Sequence, residues 1–265
     1  MQNNFNIIFI ADIVGRAGRS FFTEKINYLK EKYDPLFIIA NGENSAGGLG
    51  ITVDIVYKLF QSGVDIITTG SHVWDKKDVE FVLEKESRLL RPLNYTTEVP
   101  GSGYAFIEKE GIVLAAVNLE GRTFMKPIDC PFAALEERID FIRKKTNYII
   151  VDFHAISTAE KKAFGFYFDG RISAVIGSHT HVQTADEEVL PGGTAYITDA
   201  GMTGAHYSVM GFEPSQSIYR FLTQIPMKLN SSKNLPKLEG VVVNINKSTG
   251  LANGIERFSI KKSYD

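Results

Sequence analysis

Eight polar residues of this chain share one kind of position, at or just beyond the end of a short apolar run. Asp12 follows FNIIFIA, and Glu43 and Asn44 come shortly after LFIIA. Ser71 and His72 lie just past DIITT, His154 closes NYIIVDF, and His179 and His181 follow ISAVI. Apolar runs of this length read as buried strands, and α/β sheets bind their ligands in the crevice outside the carboxyl ends of such strands. Five strand ends would thus bring two carboxylates, an amide, a hydroxyl and four of the chain's 5 histidines to one edge. Mixed imidazole and carboxylate donors suit zinc, iron or manganese, whereas magnesium and calcium favour oxygen alone. Six or seven donors exceed the four that one tetrahedral zinc needs. They fit two ions about 3.5–4 Å apart, a spacing that clamps the attacking and leaving oxygens of a displacement at phosphorus. Glu43 has the reach to bridge them.

Taken singly, each residue has a plainer explanation. An aspartate after a strand caps a helix or forms a turn, and Glu43 and Asn44 beside Gly47, Gly48 and Gly50 could be ordinary loop polar groups. A lone His154 is more often a satisfied core histidine than a ligand. His179-Thr180-His181 is stronger, because alternate residues of an extended segment face the same side. His206, in a separate glycine-rich loop, is read as structural. The joint placement outweighs the separate explanations.

The elements that must position these residues alternate in type. Strands are expected at residues 5–11, 36–40 and 65–69, and helices at 19–32, at 52–62 with Thr52 as N-cap, and at 77–84. Residues 104–107 and 112–117 read as an antiparallel hairpin. A helix over 132–144 leads to strands at 148–153, 172–176 and 194–197. A helix at 215–223 and strands at 240–245 and 254–260 complete the chain. No repeat, low-complexity segment or linker interrupts it, so residues 1–265 are expected to form a single domain.

Composition narrows the function. Hydrophobic residues make up 44% and charged residues 23%, as in globular proteins. A formal net charge of −2 excludes a chain built to coat nucleic acid or anionic membrane, though it leaves room for a local basic patch. Cys130 is the single cysteine, which rules out an intrachain disulfide and a cysteine-based zinc site. No secretory leader or membrane-spanning run is expected, and the cytoplasm is the expected compartment.

The stretches ADIVGRAGR, ANGENSAGGLGIT, TTGSHVWDKKDV, NLEGRTFMKPIDCPF, VDFHAISTAEKKAFGFYFDGRISAVIGSHTHVQTADE and GTAYITDAGMTG resemble the calcineurin-like metallophosphoesterase superfamily, and within it the bacterial YmdB-like branch. The resemblance runs from about Asn6 to Phe258. It implies an α/β fold, a two-sheet sandwich with flanking helices and metals at the strand ends. It also implies that Asp12, Glu43 as bridging carboxylate, Asn44, His154, His179 and His181 are ligands, and that His72 is a non-ligand histidine near the leaving group. The implied activity is hydrolysis of phosphodiesters such as cyclic nucleotides by a metal-activated water, with His72 as general acid. Arg16, Arg122 and the loop of residues 47–50 are candidate phosphate contacts. The cofactors would be two iron, manganese or zinc ions and the substrate a small phosphoester or nucleotide. No stable nucleic-acid partner and no membrane are expected, and a homo-oligomer is left open. A nucleotidase or other phosphomonoesterase is the alternative on the same centre. A weakly catalytic metal- and nucleotide-binding regulator is the rival from another class.

One position departs from the family pattern. The superfamily has Gly-Asn-His where this chain has Gly70-Ser71-His72. A serine hydroxyl is a shorter and poorer neutral donor than an asparagine amide oxygen, so the second metal site is expected to be the weaker one.

Overall fold

The computed structural model describes residues 3–263. Three parallel strands, β1 (Asn4–Ile10), β2 (Pro35–Asn41) and β3 (Ile66–Thr68), start the first sheet. They are linked by helices α1 (Gly15–Tyr33) and α2 (Val53–Gln61), and α3 (Val79–Lys85) follows. The second sheet begins with the hairpin β4 (Tyr104–Lys109) and β5 (Ile112–Glu120), continues through α4 (Pro131–Arg143) to β6 (Tyr148–His154), and through α5 (Thr158–Tyr167) to β7 (Ala174–Ser178). Strands β5, β6 and β7 are parallel. Two short strands, β8 (Glu188–Val189) and β9 (Ala195–Ile197), finish that sheet in the order β4-β5-β6-β7-β9-β8. The chain then returns to the first sheet with β10 (Gly204–Ala205), α6 (Pro214–Thr223), β11 (Pro236–Asn246) and β12 (Ala252–Lys261). The order there is β10-β11-β1-β2-β3, with β12 paired antiparallel to β11.

Period-two alternation sorts each strand between two cores. Ile7 and Phe9 of β1, Phe37 and Ile39 of β2, and Leu114, Ala116, Ile150 and Ile176 of the other sheet share the core between the sheets. Ile8, Ile10 and Ile38 face the opposite way, onto Phe22, Ile26 and Leu59 of α1 and α2. Val117, Val151 and Val175 face Ile139 of α4 and Phe164 of α5. The layers are helix, sheet, sheet, helix, as the two-sheet sandwich requires. Strands buried on both faces lack a polar side, which is why they read as continuous apolar runs.

Some local expectations differ from what is observed. Thr52 does sit at the N-cap of α2, but its hydroxyl makes no capping bond; the Val53 amide donates instead to Asp78 Oδ2 at 3.3 Å. Helix α5 has no counterpart among the expected elements. Its start carries the Ser-x-x-Glu pattern of a capping box, and Ser157 Oγ accepts from the Glu160 amide at 3.3 Å. The Glu160 carboxylate does not return to the cap, because it accepts from the Arg122 and Thr123 amides. Strand β11 also begins at Pro236, four residues ahead of the expected start.

Candidate metal centre

The carboxyl ends of β1, β2, β3, β6 and β7 meet at one edge of the sandwich. Glu43 Oε1 lies 3.0 Å from His154 Nε2, which in turn lies 2.9 Å from His179 Nδ1. Ligand atoms of these three residues all fall within 4.8 Å of one another. A second group adjoins them, with His181 Nε2 3.3 Å from Asn44 Oδ1 and 3.9 Å from Asp12 Oδ1. Gly70 makes this convergence possible: a Cβ there would lie 2.4 Å from both Glu43 Oε2 and the His154 ring. The next two residues rim the centre. Ser71 is half-buried, and among the described residues its hydroxyl makes no hydrogen bond. The His72 amide donates to Glu43 Oε2 at 3.3 Å, and its Nδ1 lies 2.8 Å from Asp75 Oδ2. His206 is not part of either group.

Further residues fix the ligands' orientation. His154 Nδ1 faces Ser178 Oγ at 2.9 Å, and that hydroxyl donates to Asp152 Oδ1 at 2.6 Å, so Nε2 is aimed into the centre. His181 Nδ1 donates to the Met210 carbonyl at 3.1 Å, which likewise leaves its Nε2 free. His179 and His181 both adopt positive φ, +101° and +61°, a conformation that costs a residue with a side chain about 1–3 kcal/mol. The turn is held by Asp12 Oδ2 accepting from the His179 amide and Asp199 Oδ2 accepting from the Thr180 amide. Lys161, fully buried, donates to the Ser178 carbonyl at 2.7 Å and to Asp199 at 2.9 Å.

Electrostatics argue for a bound cation. Asp12 Oδ1 is buried with no hydrogen-bond partner among the described residues, and an orphaned carboxylate oxygen is expensive in a protein interior. Burial, reinforced by the neighbouring Glu43, Asp199 and Asp152 carboxylates, outweighs the attraction of His154 and holds the Asp12 carboxyl well above its ordinary range. Burial pushes the His154 imidazole down, but Glu43, Asp12 and Asp152 more than reverse this and bring it up to about 9. Burial likewise raises the Glu43 carboxyl, yet His154, His72 and His179 draw it down to about 2. His179, buried and next to the charged His154, is lowered to about 3. Without metal, a proton on His154 thus supplies the positive charge that the site demands. The donor set fits a metal: two carboxylates, an amide oxygen and three imidazoles, with no thiolate.

A model of the YmdB-like protein family matches residues 8–258. The chain belongs to the YmdB-like family. It is 46% identical over 258 residues to the 2′,3′-cyclic-nucleotide 2′-phosphodiesterase of Bacillus subtilis strain 168, covering 97% of this chain and 98% of that protein. Among solved structures, a novel phosphatase from Mycoplasma pneumoniae superimposes with a TM-score of 0.93 at 35% identity, covering 98% of this chain and 95% of that one. A hypothetical protein from Thermus thermophilus gives 0.91 at 36% identity, with 97% and 100% covered.

Several site residues of this YmdB-like chain lie outside the sequence reading. Glu120 closes β5 directly opposite His154 in the parallel register, fully buried, with Oε1 unpartnered among the described residues and Oε2 accepting from the Tyr95 hydroxyl at 3.0 Å. Its carboxyl is raised, chiefly by burial. The clue is present, since IVLAAVNL is another apolar run ending in an acid. Asp152, two residues before His154 inside a strand, and Lys161, on an unexpected helix, carry no comparable clue. Arg16 and Arg122, the candidate phosphate contacts, are both exposed.

Two outcomes follow from this geometry. If His154 is a ligand, loading metal-free protein with Mn²⁺ at about pH 7.5 displaces its proton, so at least about one proton per chain should be released, with more if the raised Asp12 carboxyl is also protonated. Affinity should rise with pH until about 9, where His154 is already neutral. Calorimetry in buffers of different ionisation enthalpy reads this directly, and zero release would mean that His154 is not a ligand. Second, Lys161→Met leaves Asp199 as an uncompensated buried charge and should cost about 3–5 kcal/mol in urea unfolding, with weaker metal binding. An unchanged midpoint would remove Lys161 from the support of the histidine turn.

Proposed function

We propose that this chain is a dinuclear metal-dependent phosphodiesterase that opens cyclic nucleotides. The observation that carries the reading is the pairing of the Glu43–His154–His179 cluster with Asp12, whose Oδ1 has no hydrogen-bond partner among the described residues, in a chain 46% identical to a 2′,3′-cyclic-nucleotide 2′-phosphodiesterase. Glu43, His154 and His179 would hold one ion, with Ser71 at its rim. Asp12, Asn44 and His181 would hold the other, with Glu43 shared. Manganese or iron suits the thiolate-free donors, and zinc is compatible with them. Bound there, the ions would supply Lewis acidity and lower the pKa of water from about 15.7 towards 7.

The chain's own residues do the rest. Asp75 engages His72 Nδ1, which fixes the ring and leaves Nε2 to carry a proton to the leaving oxygen. The Ser178–Asp152 relay keeps His154 from rotating. The chain would work as a single domain, a reading supported by the core that both sheets share. A cytoplasmic location is consistent with the described helices, none of which is long and apolar enough to cross a membrane.

The deciding experiment loads the protein with manganese or iron, counts metal by elemental analysis, and assays 2′,3′-cyclic AMP beside AMP. About two ions per chain and preference for the diester are expected; one tight ion that survives His181→Ala would sink the dinuclear reading. His72→Ala should keep its metal but lose about 10²–10⁴-fold in rate on esters with poor leaving groups, and far less on nitrophenyl esters. Equal losses on both would remove the general-acid role. Ser71→Asn should tighten the weaker site by about tenfold, or about 1.4 kcal/mol. A metal titration showing no change would mean that Ser71 does not face the ion.

A further inference from the structure

A cleft of about 1030 Å³ opens beside the metal centre, with His72 in its wall. That volume stands at the upper end of the roughly 300–1,000 Å³ typical of small-ligand sites. Lys76, Arg220, Lys228 and Lys233 also line it, and among the described residues none of the four is in an ion pair or a side-chain hydrogen bond. Glu213 is the one lining carboxylate. Four unneutralised cations around one cavity stand out in a chain of net charge −2, and they make it an electrostatic funnel for anions. Phe212 adds an aromatic surface. Its ring packs on Gly48, whose φ is +103° and where a Cβ would fall 2.6 Å from the ring, and the residue is half-buried in the cleft wall. Cationic walls with an aromatic surface are the features that hold single-stranded nucleic acid without sequence preference.

A cyclic mononucleotide carries one negative charge, and the metal centre meets it. Four further cations call for a substrate with more phosphates. The chemistry of the cyclic group says which. A 2′,3′-cyclic phosphate forms when a ribose 2′-hydroxyl attacks the adjacent phosphodiester and expels the 5′-oxygen of the next nucleotide, so it arises at the 3′ end of cut RNA. We infer that the cleft binds the 5′-ward phosphates of a short oligoribonucleotide whose terminal 2′,3′-cyclic phosphate lies at the metal centre. Water adds its hydroxyl to phosphorus, the P–O2′ bond breaks, and the 2′-oxygen takes up a proton through His72. The product is an oligonucleotide 3′-phosphate. The reaction that supplies this substrate is RNA cleavage by internal 2′-hydroxyl attack. The inference rests on the phosphodiesterase reading above for its chemistry, but its binding claim can be tested without turnover.

The binding probe is fluorescein-labelled triadenylate 3′-phosphate, followed by anisotropy on metal-free and metal-loaded protein. It should bind at least about tenfold tighter than 3′-AMP competes, and Kd should rise with salt with a log–log slope of about 0.7 per phosphate contacted, hence about 1.4–2 for two or three contacts. The triple variant Arg220→Ala/Lys228→Ala/Lys233→Ala, whose three positions are exposed, should abolish the length-dependent gain while circular dichroism confirms its fold. In turnover, kcat/KM for triadenylate 2′,3′-cyclic phosphate should exceed that for 2′,3′-cyclic AMP by a similar factor, through KM, and the ratio should fall to about one in the variant. An oligonucleotide that binds no tighter than the mononucleotide, or a gain that survives the triple substitution, overturns the inference. Length-dependent binding without turnover of any cyclic phosphate supports the cleft assignment and sinks the phosphodiesterase reading instead.

Discussion

Carboxyl groups buried together at the strand ends, with few cations beside them, are the constraint around which the molecule is organised. Asp12, Glu43, Glu120, Asp152 and Asp199 are all buried within or beside one cluster, where the Lys161 ammonium and protonated His154 are the nearby positive charges. Charges removed from water are tolerated only when paired or hydrogen-bonded. Asp152 meets that condition with Thr68, Asn41 and Ser178, and Asp199 with Lys161 and two backbone amides. Asp12 does not, and it is the residue whose free oxygen faces His181. The fold thus satisfies Asp152 and Asp199, half-satisfies Glu120 through the Tyr95 hydroxyl, and leaves at Asp12 an oxygen suited to a cation.

The histidine turn shows how rigid that arrangement must be. Two candidate ligands, separated only by Thr180, sit at positive φ, a region uncommon for any residue with a side chain. The conformation persists because Asp12, Asp199 and Lys161 together over-determine the backbone of residues 178–180. Strain of this kind collects where a site must be organised before its ligand arrives. A fully buried lysine is a costly way to hold a carbonyl. It also neutralises Asp199, so the support adds no net charge to the centre that it supports.

How much of this was legible in the sequence follows from the same physics. Strands β1, β2, β6 and β7 are buried on both faces, so they read as unbroken apolar runs, and a polar residue at the end of such a run stands out. That made Asp12, Glu43, His154, His179 and His181 visible. Helix α5 was not, because its inward residues include Lys161 and Gly165, which no hydrophobic periodicity would mark. Asp152 was hidden within an apolar strand, where its burial depends on Thr68 and Asn41 from the other sheet. The cleft cations were illegible for another reason: Lys76 follows β3 while Lys228 and Lys233 lie in an irregular segment before β11, and only tertiary structure brings them together.

The centre is built of acids and the cleft of cations, and this orders the events of binding. Without metal the centre offers an approaching phosphate no free cation: the Asp12 carboxyl is held well above its ordinary range, and protonated His154 is taken up by Glu43, whose carboxyl it helps to draw down to about 2. The basic cleft would then still attract an anion, but would hold its reactive group where nothing stabilises it. A bound metal ion would make the centre locally positive, as bound cations generally do, and would displace the His154 proton in doing so. Metal and phosphate are therefore coupled ligands: each should tighten the other by the same factor, since linkage between two sites is reciprocal. The cleft contributes attraction that is independent of metal, and the centre contributes attraction that depends on it entirely. A phosphodiester can be drawn in by the first and aligned only by the second.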